Sequence, residues 1–289
     1  MPMLLSDAHQ QYEDSLRQVG KAEATITAYS KDVEQLINFV GRKGKTQVDE
    51  VMGDDIREFK EVLKKRRYTG KSISRKINSI KSFFRFLEDK DEINANPAQD
   101  VQHPKYETAP PRVLSKVEYR ALRDACRSDD RMYAVIELLL QTGMRISELA
   151  NLKLEDVDMD RNIIHIRAQK SRGARKIPLN TAAKNAILEY LEIRPRARER
   201  VVFLTKTCRP FLVRNIRTAI DRYFRLAGIK DAKVNDLRHT FIVEQLKAGT
   251  PLVYVSQLVG HKRITTTEKY LKLVEDEPGL NPNVKIEEL

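Results

Sequence analysis

Two glycines cut the run from Val234 to Tyr270 into three consecutive short elements, and this segmentation constrains the fold more than any other feature of the chain. Leu237, Phe241, Ile242 and Leu246 recur at helical spacing, Asp236 offers a short acceptor to cap the first turn, and Gly249 ends the segment. Thr250-Pro251 then starts a second helix, because proline is tolerated at a first helical position. Its apolar stripe of Leu252, Val255, Leu258 and Val259 runs to Gly260, a residue type that stops helices. His261 therefore emerges just beyond a helix end. Thr265 and Thr266 are expected to cap a third helix carrying Tyr270 about one turn in. A guanidinium (Arg238), an imidazole and a phenol thus come from three successive elements, a set that suits a phosphodiester.

At 289 residues the chain is long enough for two ordinary domains. Its 53 Lys and Arg against 41 Asp and Glu leave a net charge of +12, which calls for a polyanionic partner. Nucleic acid is the first candidate; an anionic membrane surface attracts the same charge. No apolar run reaches transmembrane length, so no membrane partner is expected, and the amino terminus has neither the basic start nor the apolar core of a secretory signal. Two cysteines, Cys126 and Cys208, fit a reducing compartment better than a disulfide, and the expected location is the cytoplasm.

Taken in order, residues 1–102 read as a helical domain, with three-and-four apolar spacing around Tyr12 to Leu16, Tyr29 to Phe39 and Ile56 to Leu63. In its fourth helix Ile73, Ile77, Ile80, Phe84 and Leu87 form one stripe, with Arg75, Lys76, Ser79 and Ser82 on other faces. Ten basic residues against the single Glu61 lie between Lys60 and Arg85. A solvated charged face is the bland reading; a DNA-backbone surface built from Lys64, Lys65, Arg66, Arg67, Lys71, Arg75 and Lys76 is favoured, because the excess falls on two neighbouring helices and their turn. Residues 103–113, punctuated by proline, read as a linker, and 114–289 as a second domain opened by the capping-box pattern Ser115 to Glu118. A helix from Met132 to Leu140 precedes Gly143. The period then changes: Ile164, Ile166 and Ala168 alternate with His165 and Arg167, and Arg175 to Leu179 returns, a β-hairpin signal with Lys170 at its turn. Helices resume at about Thr181 to Ile193 and Leu212 to Ala227, making this domain mostly helical with a small sheet. Val284 to Leu289 reads as a short amphipathic end.

The segments Leu237-Arg238-His239-Thr240-Phe241, Leu258-Val259-Gly260-His261, Thr265-Thr266-Thr267 and Tyr270 resemble the carboxy-terminal signature of the tyrosine recombinases, closest to the Xer-type and phage-integrase branch. Gly143-Met144-Arg145-Ile146-Ser147-Glu148-Leu149 matches the family's earlier arginine helix. The resemblance implies a mainly α protein, with a helical SAM-like core-binding domain followed by an α+β catalytic domain. It implies attack by Tyr270 on a DNA phosphate, a 3′-phosphotyrosine intermediate with a free 5′-hydroxyl, and later reversal by a hydroxyl of another strand through a Holliday junction. Bond energy is conserved, so no nucleotide cofactor is implied. A covalent intermediate splits one hard step into two. Arg145 and Arg238 then become phosphate clamps, Glu148 orients Arg145, and Lys170, matching the family lysine on a hairpin, becomes the general acid. His261 donates to the phosphate or assists Tyr270. Asn235 departs from the pattern, standing where the family usually has a histidine; an amide cannot transfer protons but can donate a hydrogen bond to a phosphate oxygen. His239 is expected to face elsewhere and to be structural. No metal is expected, since no Cys, His and carboxylate set has ligand spacing. The implied partners are double-stranded DNA and further copies of the chain, as a tetramer on two DNA sites, with a partner recombinase or accessory protein as an open addition; the segment after the tyrosine is expected to dock on a neighbouring protomer. The alternatives are a type IB-like topoisomerase and a catalytically weak DNA-binding relative.

Overall fold

The computed structural model describes residues 3–107, 109–168 and 173–275, and the chain divides into two compact units, Met1–Ala109 and Pro110–Leu289.

The first unit is built from α1 (Leu5–Gln18), α2 (Glu23–Gly41), α3 (Gly53–Lys65) and α4 (Gly70–Glu88). Thr69 opens α4 by accepting the Ser72 amide at 3.2 Å. The stripe Ile73, Ile77, Ile80, Phe84 and Leu87 is buried as its spacing predicts, and each such side chain contributes about 1.5–3 kcal/mol by leaving water. Phe83 joins it, meeting Tyr12 of α1 edge-on with ring centroids 5.4 Å apart.

The polar side of α4 departs from expectation. Lys76 and Ser79 are buried, because α2 turns the buried Asp32 towards them. Lys76 Nζ donates to Asp32 Oδ1 and to Gln35 Oε1, each at 2.8 Å, and Ser79 Oγ donates to Asp32 Oδ2 at 2.9 Å. A carboxylate out of water needs such partners, so Lys76 is taken out of the proposed DNA surface by the charge it neutralises. Arg75 also pairs with Asp32 but keeps an exposed guanidinium. Lys64, Lys65, Arg66, Arg67 and Lys71 are exposed at the end of α3, in its turn and at the start of α4, with Arg67 at φ 58° in the turn itself.

The second unit begins with α5 (Lys116–Cys126), α6 (Asp130–Thr142) and α7 (Ile146–Ala150). The capping box at α5 is reciprocal: Ser115 Oγ accepts the Glu118 amide at 3.2 Å, and Glu118 Oε2 accepts the Ser115 amide at 2.8 Å. α6 is buried on nearly every side through Met132, Ala134, Val135, Ile136, Leu138 and Leu139. A helix apolar all round becomes the centre of its unit.

A three-stranded antiparallel sheet follows, in the order β1 (Val157–Asp158), β2 (Ile163–Ile166) and β3 (Arg175–Pro178). Ile164 faces Ile177 in the register, and both are buried. Ala168 lies beyond the strand end and is exposed, and β1 is too short for any alternation to reveal. The hairpin turn with Lys170 lies outside the described residues, as does everything after 275, including the expected amphipathic end. α8 (Thr181–Ile193), α9 (Val213–Leu226), α10 (Val234–Lys247), α11 (Leu252–Val259), α12 (Thr265–Glu268) and α13 (Lys272–Glu275) complete the unit.

Several local details of the last quarter differ from the reading of the sequence. Pro251 is the N-cap of α11 rather than its first helical residue, and Thr265 and Thr266 lie inside α12, behind an Ile264 N-cap, instead of capping it. Asp236 does not open α10; it lies in the third position and accepts the Lys233 amide at 2.8 Å, capping from within. Tyr270 falls just after α12 rather than inside it, in the turn before α13. The stops behave as expected, with Gly249 at φ 82° and Gly260 at φ 66° in the left-handed region where glycine is favoured.

Candidate active site

The site forms where α6, α7, α10 and α11 end or begin. Gly143 closes α6 at φ 58°, turning the chain so that Arg145 caps α7. A Cβ at Gly143 would meet the Phe241 ring of α10 at 2.3 Å, so this close approach of two elements depends on glycine. The Arg145 amide donates to Glu148 Oε2 at 2.9 Å, and its Nη1 donates to Glu148 Oε1 at 3.1 Å. Glu148 thus accepts from both the backbone and the guanidinium of Arg145.

Three guanidiniums meet the carbonyl end of α11. Arg145 donates to Val259 O at 3.2 Å and to Gly260 O at 2.8 Å. Arg238 donates to Val259 O at 2.7 Å and to Gly143 O at 2.5 Å. Arg175 of β3 donates through Nε to Leu258 O at 2.6 Å and makes a two-pronged pair with Glu148, at 2.9 and 2.7 Å. The last carbonyls of a helix lack partners within it and carry its negative dipole end, so cations collect there. The position of Gly260 thus decides where Arg145 and Arg238 stand. Arg175 packs beneath that glycine, where a Cβ would come within 3.0 Å of its Nη1.

Arg145, Arg175, Arg238 and Glu148 sum to two positive charges in a poorly hydrated place. Burial, then the neighbouring Arg145 charge, pulls Arg238 down to about 9, so it stays cationic at neutral pH. Such a cluster attracts an anion with oxygens on more than one side.

His261 follows Gly260, and its Nδ1 lies 2.8 Å from Thr267 Oγ1 of α12. Burial and then the Arg238 and Arg145 charges lower it to about 4, so it is a neutral imidazole at physiological pH. Tyr270 is 5% exposed and packs with Phe241, Ile242, Val255 and Val259. Burial raises its hydroxyl above the usual phenol range, with Arg238 pulling the other way. The His261 and Tyr270 rings lie nearly parallel, centroids 6.4 Å apart. The phenolic oxygen itself is 2.7 Å from His239 Nδ1.

Arg145, Glu148, Arg238, His261 and Tyr270 are therefore brought together, and Asn235 stands exposed on the first turn of α10. Lys170 lies outside the described residues. The exposed Lys64, Lys65, Arg66, Arg67, Lys71 and Arg75 belong to the first unit. Two residues of the site escaped the sequence reading. His239 was expected to face elsewhere, yet it is four residues after Asn235 and so on the same helical face, a spacing that carried the signal. Arg175 shares strand parity with the buried Ile177, and a charged residue on an inward position needs a partner there.

The Phage integrase family model matches residues 112–277, and the Phage integrase, N-terminal SAM-like domain model matches residues 10–91. Tyrosine recombinase XerC of Roseiflexus castenholzii (strain DSM 13941 / HLO8) is 31% identical over 261 residues, covering 86% of this chain and 83% of the relative. Among solved structures, the Tn1549 transposon integrase in complex with transposon right end DNA matches with a TM-score of 0.78 at 22% identity, covering 93% of this chain and 94% of that one. A lambda integrase tetramer bound to a Holliday junction matches with a TM-score of 0.74 at 18% identity, covering 91% and 79%. At these identities the two structures speak for the fold.

Proposed function

The chain belongs to the phage integrase family, on its Xer-type tyrosine recombinase branch, and from that membership we propose that Tyr270 is the nucleophile of a site-specific DNA strand transfer. The observation that carries the reading is the meeting of Arg145 and Arg238 on one carbonyl, Val259 O, beside the ring of Tyr270. A scissile phosphate at the guanidiniums is clamped by both, and the phenolic oxygen attacks phosphorus to leave a 3′-phosphotyrosine and a 5′-hydroxyl. Charge that builds on the non-bridging oxygens is met by cations already held in place, with no reorganisation at the moment of reaction.

Glu148 fixes Arg145 through two hydrogen bonds. His261, neutral and anchored on Thr267, offers its remaining ring nitrogen to a phosphate oxygen. Lys170 protonates the leaving 5′-oxygen, since an ammonium is a proton donor at neutral pH. Asn235 donates to a phosphate oxygen and takes no part in proton transfer. Lys64, Lys65, Arg66, Arg67, Lys71 and Arg75 hold the DNA backbone; Lys76 does not. The working form is a tetramer of this chain on two duplex sites in the cytoplasm, exchanging strands through a Holliday junction, and a partner recombinase or accessory protein would add to that assembly. A recombinase is preferred to a type IB topoisomerase because the relative that spans most of the chain is a tyrosine recombinase.

The test is metal-free incubation with nicked or supercoiled DNA from the neighbourhood of the coding gene, followed by a denaturing gel. A protein–DNA adduct at the 3′ end that Tyr270→Phe abolishes is the expected result. An adduct that survives Tyr270→Phe removes Tyr270 as nucleophile. Intact DNA binding with no adduct on any site-containing fragment would favour a weak binding relative instead. For Asn235, cleavage of a nicked suicide substrate by Asn235→Ala at the wild-type rate would dismiss its phosphate contact.

A further inference from the structure

We propose that His239 is a further catalytic residue: the base that takes the phenolic proton of Tyr270 as its oxygen attacks phosphorus. The inference rests on Tyr270 being the nucleophile, and it addresses a step that the other named residues leave unserved. A phenol is protonated at neutral pH by its ordinary acidity, burial of Tyr270 only reinforces this, and an oxygen that still carries its proton is a poor nucleophile. Asn235 is an amide and cannot accept the proton. His261 has Nδ1 engaged by Thr267, and its ring lies alongside that of Tyr270 with centroids 6.4 Å apart. His239 Nδ1, by contrast, is 2.7 Å from the phenolic oxygen, inside the reach required of a general base.

The surroundings favour an imidazole in its accepting form. His239 is half-buried, and burial keeps the ring neutral. Asp236 opposes that effect from the same helix, Arg238 reinforces it, and Tyr270 and His261 face the ring from the elements across. With Nδ1 accepting, the ring proton resides on Nε2. On cleavage the Tyr270 oxygen–phosphorus bond forms, its proton passes to His239 Nδ1, and the phosphorus–O5′ bond breaks, with the leaving oxygen protonated by the general acid. In the reverse step a DNA 5′-hydroxyl displaces the tyrosine, and the His239 imidazolium returns the proton to the phenolic oxygen. Arg238 stands next to the imidazolium, so the step also needs the negative charge of the bound phosphate to offset two adjacent cations.

The test is single-turnover cleavage of a nicked suicide duplex by wild-type protein, His239→Asn and Tyr270→Phe, each with an ordinary 5′-oxygen and with a bridging 5′-sulfur. Asparagine keeps a polar atom near the place of Nδ1 and cannot take a proton. A thiolate leaves without protonation, so bridging sulfur relieves loss of an acid and not loss of a base. His239→Asn is expected to bind the duplex as the wild type does and to form adduct about 10²–10⁴-fold more slowly, the usual contribution of general acid–base catalysis, on both substrates. Cleavage within about threefold of wild type would reduce His239 to packing, and recovery on the sulfur substrate would move it to the leaving group; either overturns the proposal. Should His239→Asn fold poorly, a folded His239→Gln carrying a fluorinated tyrosine at position 270 separates the cases. Its more acidic phenol restores the rate if only the base is missing, and a rate that stays low would sink the inference. An adduct formed by Tyr270→Phe is a different failure, that of the nucleophile itself.

Discussion

The Glu148 carboxylate lies between the Arg145 and Arg175 guanidiniums, its side chain 3% exposed. Burial works against its charge, but the hydrogen bonds from Arg175 and the Arg145 amide, with both guanidinium charges, hold it down at about 2. A carboxyl depressed in the folded state stabilises fully above its ordinary value of 4.5 and loses that contribution as pH falls towards 2. Glu148→Gln leaves neighbouring cations without their counter-charge, and breaking a buried pair in this way costs about 3–5 kcal/mol. Urea unfolding should show that loss at pH 7 and a narrowing gap between variant and wild type from pH 4.5 downwards. A gap below about 1 kcal/mol at pH 7 would mean that shape, not charge, is what Glu148 supplies.

At the scale of elements, helix ends rather than helix faces compose the site. α6 must stop at Gly143 so that its carbonyl receives Arg238, and α11 must stop at Gly260 so that its last carbonyls receive three arginines. Gly143→Ala combines a left-handed φ of 58° with a contact of 2.3 Å to Phe241, and should cost about 2–4 kcal/mol in chemical denaturation while slowing adduct formation. Gly249→Ala is the control: φ is 82°, but open space surrounds the added Cβ, so about 1 kcal/mol is expected with the adduct rate unchanged. Equal costs at the two positions would show that the packing of α6 on α10 is not what glycine permits.

For the whole molecule the relevant quantity is its charge of +12 and how it is spread. Counterion release makes the logarithm of DNA affinity fall with the logarithm of salt concentration by about 0.9 per phosphate contacted. Replacing Arg67 and Lys71 together with alanine should lower that slope by about 1.8 if each holds one phosphate. Lys76→Met should leave the slope alone and weaken the first unit instead, because Lys76 neutralises the buried Asp32. A slope that responds equally to both changes would put Lys76 back on the DNA surface. Fluorescence anisotropy across a salt series measures the first effect and thermal unfolding the second.

The sequence by itself determined the helices, their stops and the hairpin, because apolar period, glycine and capping residues act within a few positions of one another. Ile73 to Leu87, Ser115 with Glu118, and Gly260 were all legible on that ground. Motif spacing was equally local, which is why Arg145, Arg238, His261 and Tyr270 could be singled out before any contact was known. Tertiary structure decided which polar groups left water and whom they met. Lys76 looked like a surface cation until α2 brought Asp32 beneath it, Arg175 was only the start of the hairpin's returning strand until β3 carried it to Glu148 and Leu258, and His239 looked structural until the turn after α12 returned Tyr270 to its ring. Desolvation and hydrogen bonding between distant segments depend on how elements pack, so spacing can put a side chain on an inward face without saying which group meets it there.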